Sequence, residues 1–228
     1  AGTGGGLVVV FDDISSLIAA QRTAAWGEVA RRLAHEIKNP LTPIQLSAER
    51  LAFKLADRLD DSGREMLERA TGTIVNQVEA MKNLVNAFRD YARLPAPQLA
   101  PLDLNGLIRE VLHLYESAAV QIRTELGSTL PPVQGDATQI RQVIHNMLQN
   151  AQDALAAQEE GEIAVITRRD GESALLLFRD NGPGFPTEVL SRAFEPYFTT
   201  KSRGTGLGLA MVKKIVDEHG GEVRLSNR

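Results

Sequence analysis

The chain has 228 residues, 43% hydrophobic and 24% charged, with a formal net charge of −4 and no cysteine. That length holds one large domain or two modest ones with a real core, and the lack of cysteine excludes a disulfide framework, a thiolate zinc or iron–sulfur site and a catalytic thiolate. The slightly acidic balance argues against a general nucleic-acid binder, and the longest apolar runs, Leu7–Phe11 and Ala174–Phe178, fall far short of the roughly 20 residues a membrane helix needs.

The opening AGTGGG reads as a flexible lead without the charged and apolar regions of a signal peptide. Leu7–Phe11 is a β-branched run that reads as the last strand of an upstream domain. From about Ser15 to Ala56 the pattern is helical. Leu33, Ile37, Leu41, Ile44, Ala48, Leu51 and Leu55 are spaced by alternating threes and fours, as are Leu67, Ala70, Ile74, Val78, Met81, Val85 and Phe88. Such spacing makes a narrow helix–helix seam. The polar stretch Asp57–Gly63 between the two series is a turn, with Ser62 near the next helix start. An α-helical hairpin that dimerises into a four-helix bundle is the economical way to cover both seams.

Pro95, Pro97 and Pro101 then mark a linker, residues 95–101, after a helical domain of residues 15–94. Beyond it, over residues 102–228, the period changes. Helix Leu104–Glu116, strand Val120–Leu126, helix Ala137–Ala157, strands Glu162–Arg169 and Ser173–Arg179, helix Gly206–His219 and strand Gly221–Leu225 predict an α/β sandwich. Asp170-Gly171 between the paired strands is a hairpin signal.

Chemistry gathers in a few places. His35 lies two residues, about 200° of helix rotation, from both Leu33 and Ile37, so it faces away from the seam. A lone histidine is most often a surface residue. Here Glu36 stands beside it and Asn39 one turn on, so the neutral imidazole is a nucleophile with a carboxylate near enough to take its proton. Pro40 removes a backbone bond just after it and predicts a kink. Asn146 and Asn150, one turn apart with Asp153 further along, could present amide oxygens to a hard cation such as Mg²⁺. Asp180-Asn181-Gly182-Pro183-Gly184 after a strand is a turn, or a place where Asp180 accepts from an exocyclic amine while glycine backbone approaches a flat ligand. Gly204-Thr205-Gly206-Leu207-Gly208-Leu209 opens a helix whose amides suit phosphate, although it is neither a Walker A loop nor GxGxxG.

In this order the motifs resemble those of bacterial sensor histidine kinases. His35–Pro40 is similar to the H-box, Asn146–Asp153 (NMLQNAQD) to the N-box, Asp180–Gly184 to the first glycine box, Phe194–Phe198 to the F-box and Gly204–Leu209 to the second glycine box. Within the family, HEIKNPLTPIQLSAERL is most similar to the NtrY nitrogen-regulation branch, and Leu7–Phe11 with Asp13 is similar to the end of a PAS domain. The resemblance implies a GHKL (Bergerat) ATP-binding domain after the hairpin, with ATP and Mg²⁺ as cofactors and His35 as phosphoacceptor. It implies Glu36 as acid/base partner and Asn39 as the residue positioning water for regulator dephosphorylation. Asn150 and Asn146 would hold metal, and Asp180, Gly182 and Gly184 would frame adenine. Thr199, Thr200, Lys201, Arg203 and Gly204 would form a short lid, and Gly204, Thr205, Gly206, Leu207 and Gly208 would serve the phosphates. The implied partners are a second copy of the chain and the Asp of a response-regulator receiver domain, NtrX-like by analogy. The implied setting is the cytoplasmic core of a membrane-anchored sensor, and family members continue into a further strand after Leu225. Two other readings stay open: an ATPase machine of the gyrase, Hsp90 and MutL group, which leaves His35 unexplained, and a catalytically inert dimerisation scaffold.

Overall fold

The computed structural model describes residues 15–116, 120–201 and 204–227, with side chains from residue 27 onward. The expected strand Leu7–Phe11 and the lid residue Arg203 lie outside the described residues. The chain divides into two compact units, residues 1–94 and 95–228.

The first unit is a helical hairpin. Helix α1 runs Ser15–Leu55 without interruption through Pro40 and Pro43. Neither proline can donate to the turn before it, so the carbonyls of Glu36 and Asn39 lose their intrahelical partners. A 3₁₀ turn, Ala56–Arg58, leads to α2, Asp61–Ala92. The cap of α2 is Asp60, whose carboxylate accepts from Gly63 N at 2.8 Å, rather than the expected Ser62; the carboxylate one residue before the first helical position has the reach, and Ser62 is already inside the helix. The contact between the helices is built from Ala30, Ala34, Leu41 and Ala48 on α1 and Thr71, Val78 and Val85 on α2, all buried. Small residues dominate on the α1 side and let the backbones approach closely. Leu33, Ile37, Ile44 and Leu51, placed by their spacing in the same seam, stay 42%, 40%, 46% and 51% exposed. They occupy a flank of the helix that α2 does not cover.

The second unit is an α/β sandwich. Strand β1 (Ala100–Leu102) pairs antiparallel with β3 (Val133–Gly135). Strand β2 (Gln121–Leu126) runs parallel to β4 (Glu162–Asp170), which pairs antiparallel with β5 (Ser173–Asp180), giving the order β2-β4-β5. The helices are α3 (Leu104–His113), α4 (Ala137–Leu155), the short α5 (Thr187–Leu190) and α6 (Gly208–Glu218). Ile108 and Val111 of α3, Ile144, Leu148 and Leu155 of α4 and Ile163 and Val165 of β4 form the core. Each comes from a helix stripe of 3.6 period or from one face of an alternating strand. Buried Thr167 ties β4 to its surroundings, donating to Asn105 Oδ1 and accepting from Gly127 N.

Two expectations change here. Residues 221–227 form no strand. A strand exists only through a partner's backbone, and this segment is instead tied to the loop after β5 through the Asn227 side chain, which accepts from Phe185 N at 2.9 Å and donates to Phe185 O. The stretch Pro95–Pro101, read as a linker, belongs to the second unit. Pro95 O accepts from Gln139 Nε2 at 2.9 Å and Gln98 N donates to Asp136 Oδ2 at 3.0 Å, so both ends of the stretch's first half are fastened to the start of α4.

Candidate active site

His35 stands exposed on α1, between buried Ala34 and exposed Glu36. Asn39, one turn on, shares its exposed face. Glu36 Oε1 accepts from Arg32 Nε at 3.2 Å, a contact one turn back along the helix. The imidazole is therefore open to a reaction partner, with a carboxylate and an amide beside it on the same helix.

In the second unit α4 forms the common wall of the site. Its N-terminus is fixed by Asp136, whose carboxylate accepts from Thr138 N and Gln139 N. With the Gln98 amide donating to the same group, the Asp136 carboxyl is held below the ordinary carboxylate range. Buried Ile144, Leu148 and Ala151 place the helix against the sheet, which turns Asn146 and Asn150 toward the start of α6. There a Cβ on Gly208 would lie 3.2 Å from Asn146 Oδ1 and 3.6 Å from Asn150 Nδ2; the amides of α6 and the two asparagines can meet because no side chain stands between them. Asn146 Nδ2 donates to Gln142 O at 3.0 Å, which leaves its Oδ1 facing Gly208. Asn150 Nδ2 is buried without a partner, while Asn150 Oδ1 accepts from Lys201 Nζ at 3.2 Å. The same ammonium donates to Asp153 Oδ2 at 2.8 Å. Amide and carboxylate oxygens converging on one cation make a donor set that suits a hard metal ion.

At the far end of α4, Gly182 packs against Ala154, with Ala154 Cβ 3.3 Å from where its own Cβ would be. Asp180 Oδ1 accepts from Gly182 N at 2.9 Å and the residue is exposed at the end of β5, so one carboxylate oxygen is free to face a ligand. Gly184 lies beside Asn227. Asn181, not singled out from the sequence, fastens this turn by accepting from Glu162 N and donating to Glu160 O.

The intervening loop is tightly folded where it is described. Thr199 and Thr200 are exposed; Thr199 Oγ1 accepts from Lys201 N, and Lys201 O accepts from Gly204 N at 3.2 Å. Gly206 has φ +66° and its missing Cβ would meet the Tyr197 carbonyl carbon at 2.5 Å, so only glycine fits there. Tyr197 itself takes φ +66°, held by its amide donating to Gly206 O. Thr205 Oγ1 accepts from Leu207 N, and the fully buried Leu207 pins the entry of α6. The second unit thus gathers Asn146, Asn150, Lys201 and Gly208 in one place and Asp180, Gly182 and Gly184 one turn of α4 away. His35, Glu36 and Asn39 form a separate group on the hairpin. The bond from Lys201 to Asp153 was not anticipated; the signal available was that Asp153 follows Asn150 by three positions on one helix face.

Comparison with known proteins agrees with this arrangement. Residues 25–97 match the His Kinase A (phospho-acceptor) domain, and residues 135–228 match the histidine kinase-, DNA gyrase B-, and HSP90-like ATPase family. The chain is 43% identical over 97% of its length to the nitrogen regulation protein NtrY of Azorhizobium caulinodans, covering 29% of that protein. It is 39% identical over 93% of its length to an NtrY-like sensor histidine kinase of Rickettsia prowazekii, covering 35% of it. The chain therefore spans about a third of the curated relatives it matches. Among solved structures, the catalytic domain of histidine kinase ThkA is 36% identical with a TM-score of 0.53, covering 57% of this chain and 88% of that one. The complex of ThkA with response regulator TrrA contains a chain 29% identical, TM-score 0.60, covering 92% of this chain and 62% of that one. A phospho-acceptor hairpin bearing His35, joined to an ATPase-type unit with its asparagine and glycine boxes in place, makes this chain a member of the sensor histidine kinase family.

Proposed function

We propose that the chain binds ATP in the second unit, transfers its γ-phosphoryl group to His35, and passes that group to an aspartate of a response-regulator receiver domain. The observation that carries this reading is the meeting of Asn146, Asn150 and Gly208 in one cluster, together with an exposed His35 flanked by Glu36 and Asn39. Asp180 accepts from the adenine amino group, with Gly182 and Gly184 shaping its pocket. The amides at the start of α6 receive phosphate oxygens, as helix N-termini do, and Lys201 adds a positive charge to them. Asn146 and Asn150 would hold the magnesium ion that, when bound, neutralises charge on the phosphates. His35 attacks phosphorus through an imidazole nitrogen as the bond to the ADP oxygen breaks, and Glu36 takes the imidazole proton. Phosphoryl transfer of this kind needs alignment and charge compensation more than covalent help. Because Pro95 and Gln98 are bonded to the second unit, the movement that brings nucleotide to His35 turns on Arg93 and Leu94, at the end of α2.

The hairpin's uncovered Leu33, Ile37, Ile44 and Leu51 support a homodimeric four-helix bundle. Similarity to NtrY supports an NtrX-like regulator, and the ThkA–TrrA complex shows a related kinase with its regulator. Among the described residues no helix is long and apolar enough to cross a membrane, which fits the cytoplasmic core of an anchored sensor. Asn39 positions water for dephosphorylating the regulator.

The test is incubation with γ-labelled ATP and Mg²⁺. Wild-type protein acquires an acid-labile, alkali-stable label, whereas His35→Gln binds nucleotide without labelling. Normal labelling of His35→Gln refutes the assignment. Asn39→Ala slows regulator dephosphorylation more than autophosphorylation, and an equal loss in both removes Asn39's role.

A further inference from the structure

We propose that Asp153 is a cation ligand of the nucleotide site, and that the ammonium of Lys201 holds its place until a divalent cation arrives with the nucleotide. This deepens the ATP-site reading above and rests on it.

Both amides in the site, Asn146 and Asn150, are neutral. A divalent cation that must shed hydration water is better held where a carboxylate adds negative charge, and Asp153 is the carboxylate already bonded into the cluster. Its geometry is that of a ligand at rest. Asp153 Oδ1 is occupied by Gln149 Nε2 at 2.9 Å, which orients the group and leaves Oδ2 for a cation. Oδ2 and Asn150 Oδ1 then converge on one positive charge, at 2.8 Å and 3.2 Å from Lys201 Nζ. Asn150 leaves its Nδ2 buried and unpartnered in this arrangement. Turning the amide over would set its NH₂ against the ammonium, so the demand for an oxygen at the cation position fixes the side chain despite the unmade bond.

An ordinary surface salt bridge is the simpler account of the Lys201–Asp153 pair. The two side chains are 38% and 41% exposed, and pairs of that kind contribute about 0–1 kcal/mol. That weakness is what a placeholder requires. A doubly charged ion has twice the Coulomb attraction of an ammonium at equal distance, so it displaces Lys201 from Asp153 Oδ2 and Asn150 Oδ1 at little cost. The released ammonium stays near, because the Lys201 backbone is bonded to Thr199 Oγ1 and Gly204 N, and the phosphates arriving with the metal are its next partner. Metal binding and the phosphate contact of Lys201 are then one coupled event.

The test uses the whole chain with AMPPNP, in Mg²⁺ and in EDTA, by calorimetry, and with Mn²⁺ alone by electron paramagnetic resonance. Asp153 is exposed, so Asp153→Asn keeps its fold, checked by circular dichroism. Asp153→Asn lowers the gain in nucleotide affinity that Mg²⁺ confers by about tenfold, the equivalent of one charged ligand contact, and leaves affinity in EDTA equal or higher. Lys201→Met raises affinity for Mn²⁺ alone by about threefold or more, since it removes the competitor, and the double variant loses that rise. An unchanged Mg²⁺ gain in Asp153→Asn, or an unchanged Mn²⁺ affinity in Lys201→Met, overturns the proposal while the ATP site stands. Failure of the wild-type chain to bind AMPPNP overturns both.

Discussion

The two units solve the problem of burial differently. The second unit closes its own core: Ile108, Ile144, Leu148, Leu155 and Ile163 are all essentially inaccessible. The hairpin buries mainly alanines and valines between its helices and leaves Leu33, Ile37, Ile44 and Leu51 about half exposed along one flank. One unit buries its large side chains within itself; the other is apolar where a second copy would sit. The difference separates two jobs. The nucleotide site needs a rigid wall, which α4 provides, and the phosphoacceptor needs an open helix face, which a hairpin covered only on its other side provides.

That contrast can be broken from either side. Leu148→Ala removes a fully buried side chain from the α4 wall and destabilises the second unit by about 2–5 kcal/mol. Thermal unfolding followed by AMPPNP binding and by helical signal then separates into two transitions, the nucleotide-dependent one falling and the hairpin's staying. If both fall together, the units do not fold independently. Ile44→Ser acts on the other side: it withdraws apolar surface that the proposed four-helix bundle would bury, about 1–3 kcal/mol per protomer, so the proposed dimer is expected to weaken in light scattering while AMPPNP affinity is unchanged. An unaltered dimer means the exposed flank is not the interface.

The smallest expected effect sharpens the boundary. The folded Asp136 carboxyl is held below its ordinary value, chiefly by the Gln98 amide. Its stabilisation is therefore complete above the ordinary carboxylate range and is lost as pH falls through the lower, folded value. Asp136→Ala costs about 1 kcal/mol at neutral pH as a lost cap, and the gap to wild type in urea midpoint narrows once the pH drops below about 4. A gap that stays constant down to pH 3 excludes the ionised carboxylate as its source.

Much of this architecture was legible because its signals are local. The helices announce themselves by spacing, Ser15–Leu55 above all, and β4–β5 by alternation around Asp170-Gly171. The boxes around His35, Asn150, Asp180 and Gly206 are contiguous in sequence, so their chemistry is readable one segment at a time. What stayed hidden depends on partners far along the chain. Strands β1 and β3 are three residues each, β1 containing Pro101, and exist only through each other. Residues 221–225 have strand composition but no ladder, because pairing is a property of two segments. The fastening of Pro95 and Gln98 to α4 joins positions about 40 residues apart, and Lys201 reaches Asp153 across 48. The rotational argument correctly put His35 on the open face of α1, but the same spacing could not tell which flank of the seam meets α2 and which waits for another copy.

The most direct test of the account is to find where the phosphoryl group goes. After incubation with Mg²⁺ and ATP, intact-mass and peptide analysis at alkaline pH should show a phosphoryl group on the His35 imidazole, with ADP released in matching amount and then little more. Continuous release of ADP and phosphate, with no modified His35, would contradict the account and make the chain an ATPase of the gyrase and Hsp90 kind.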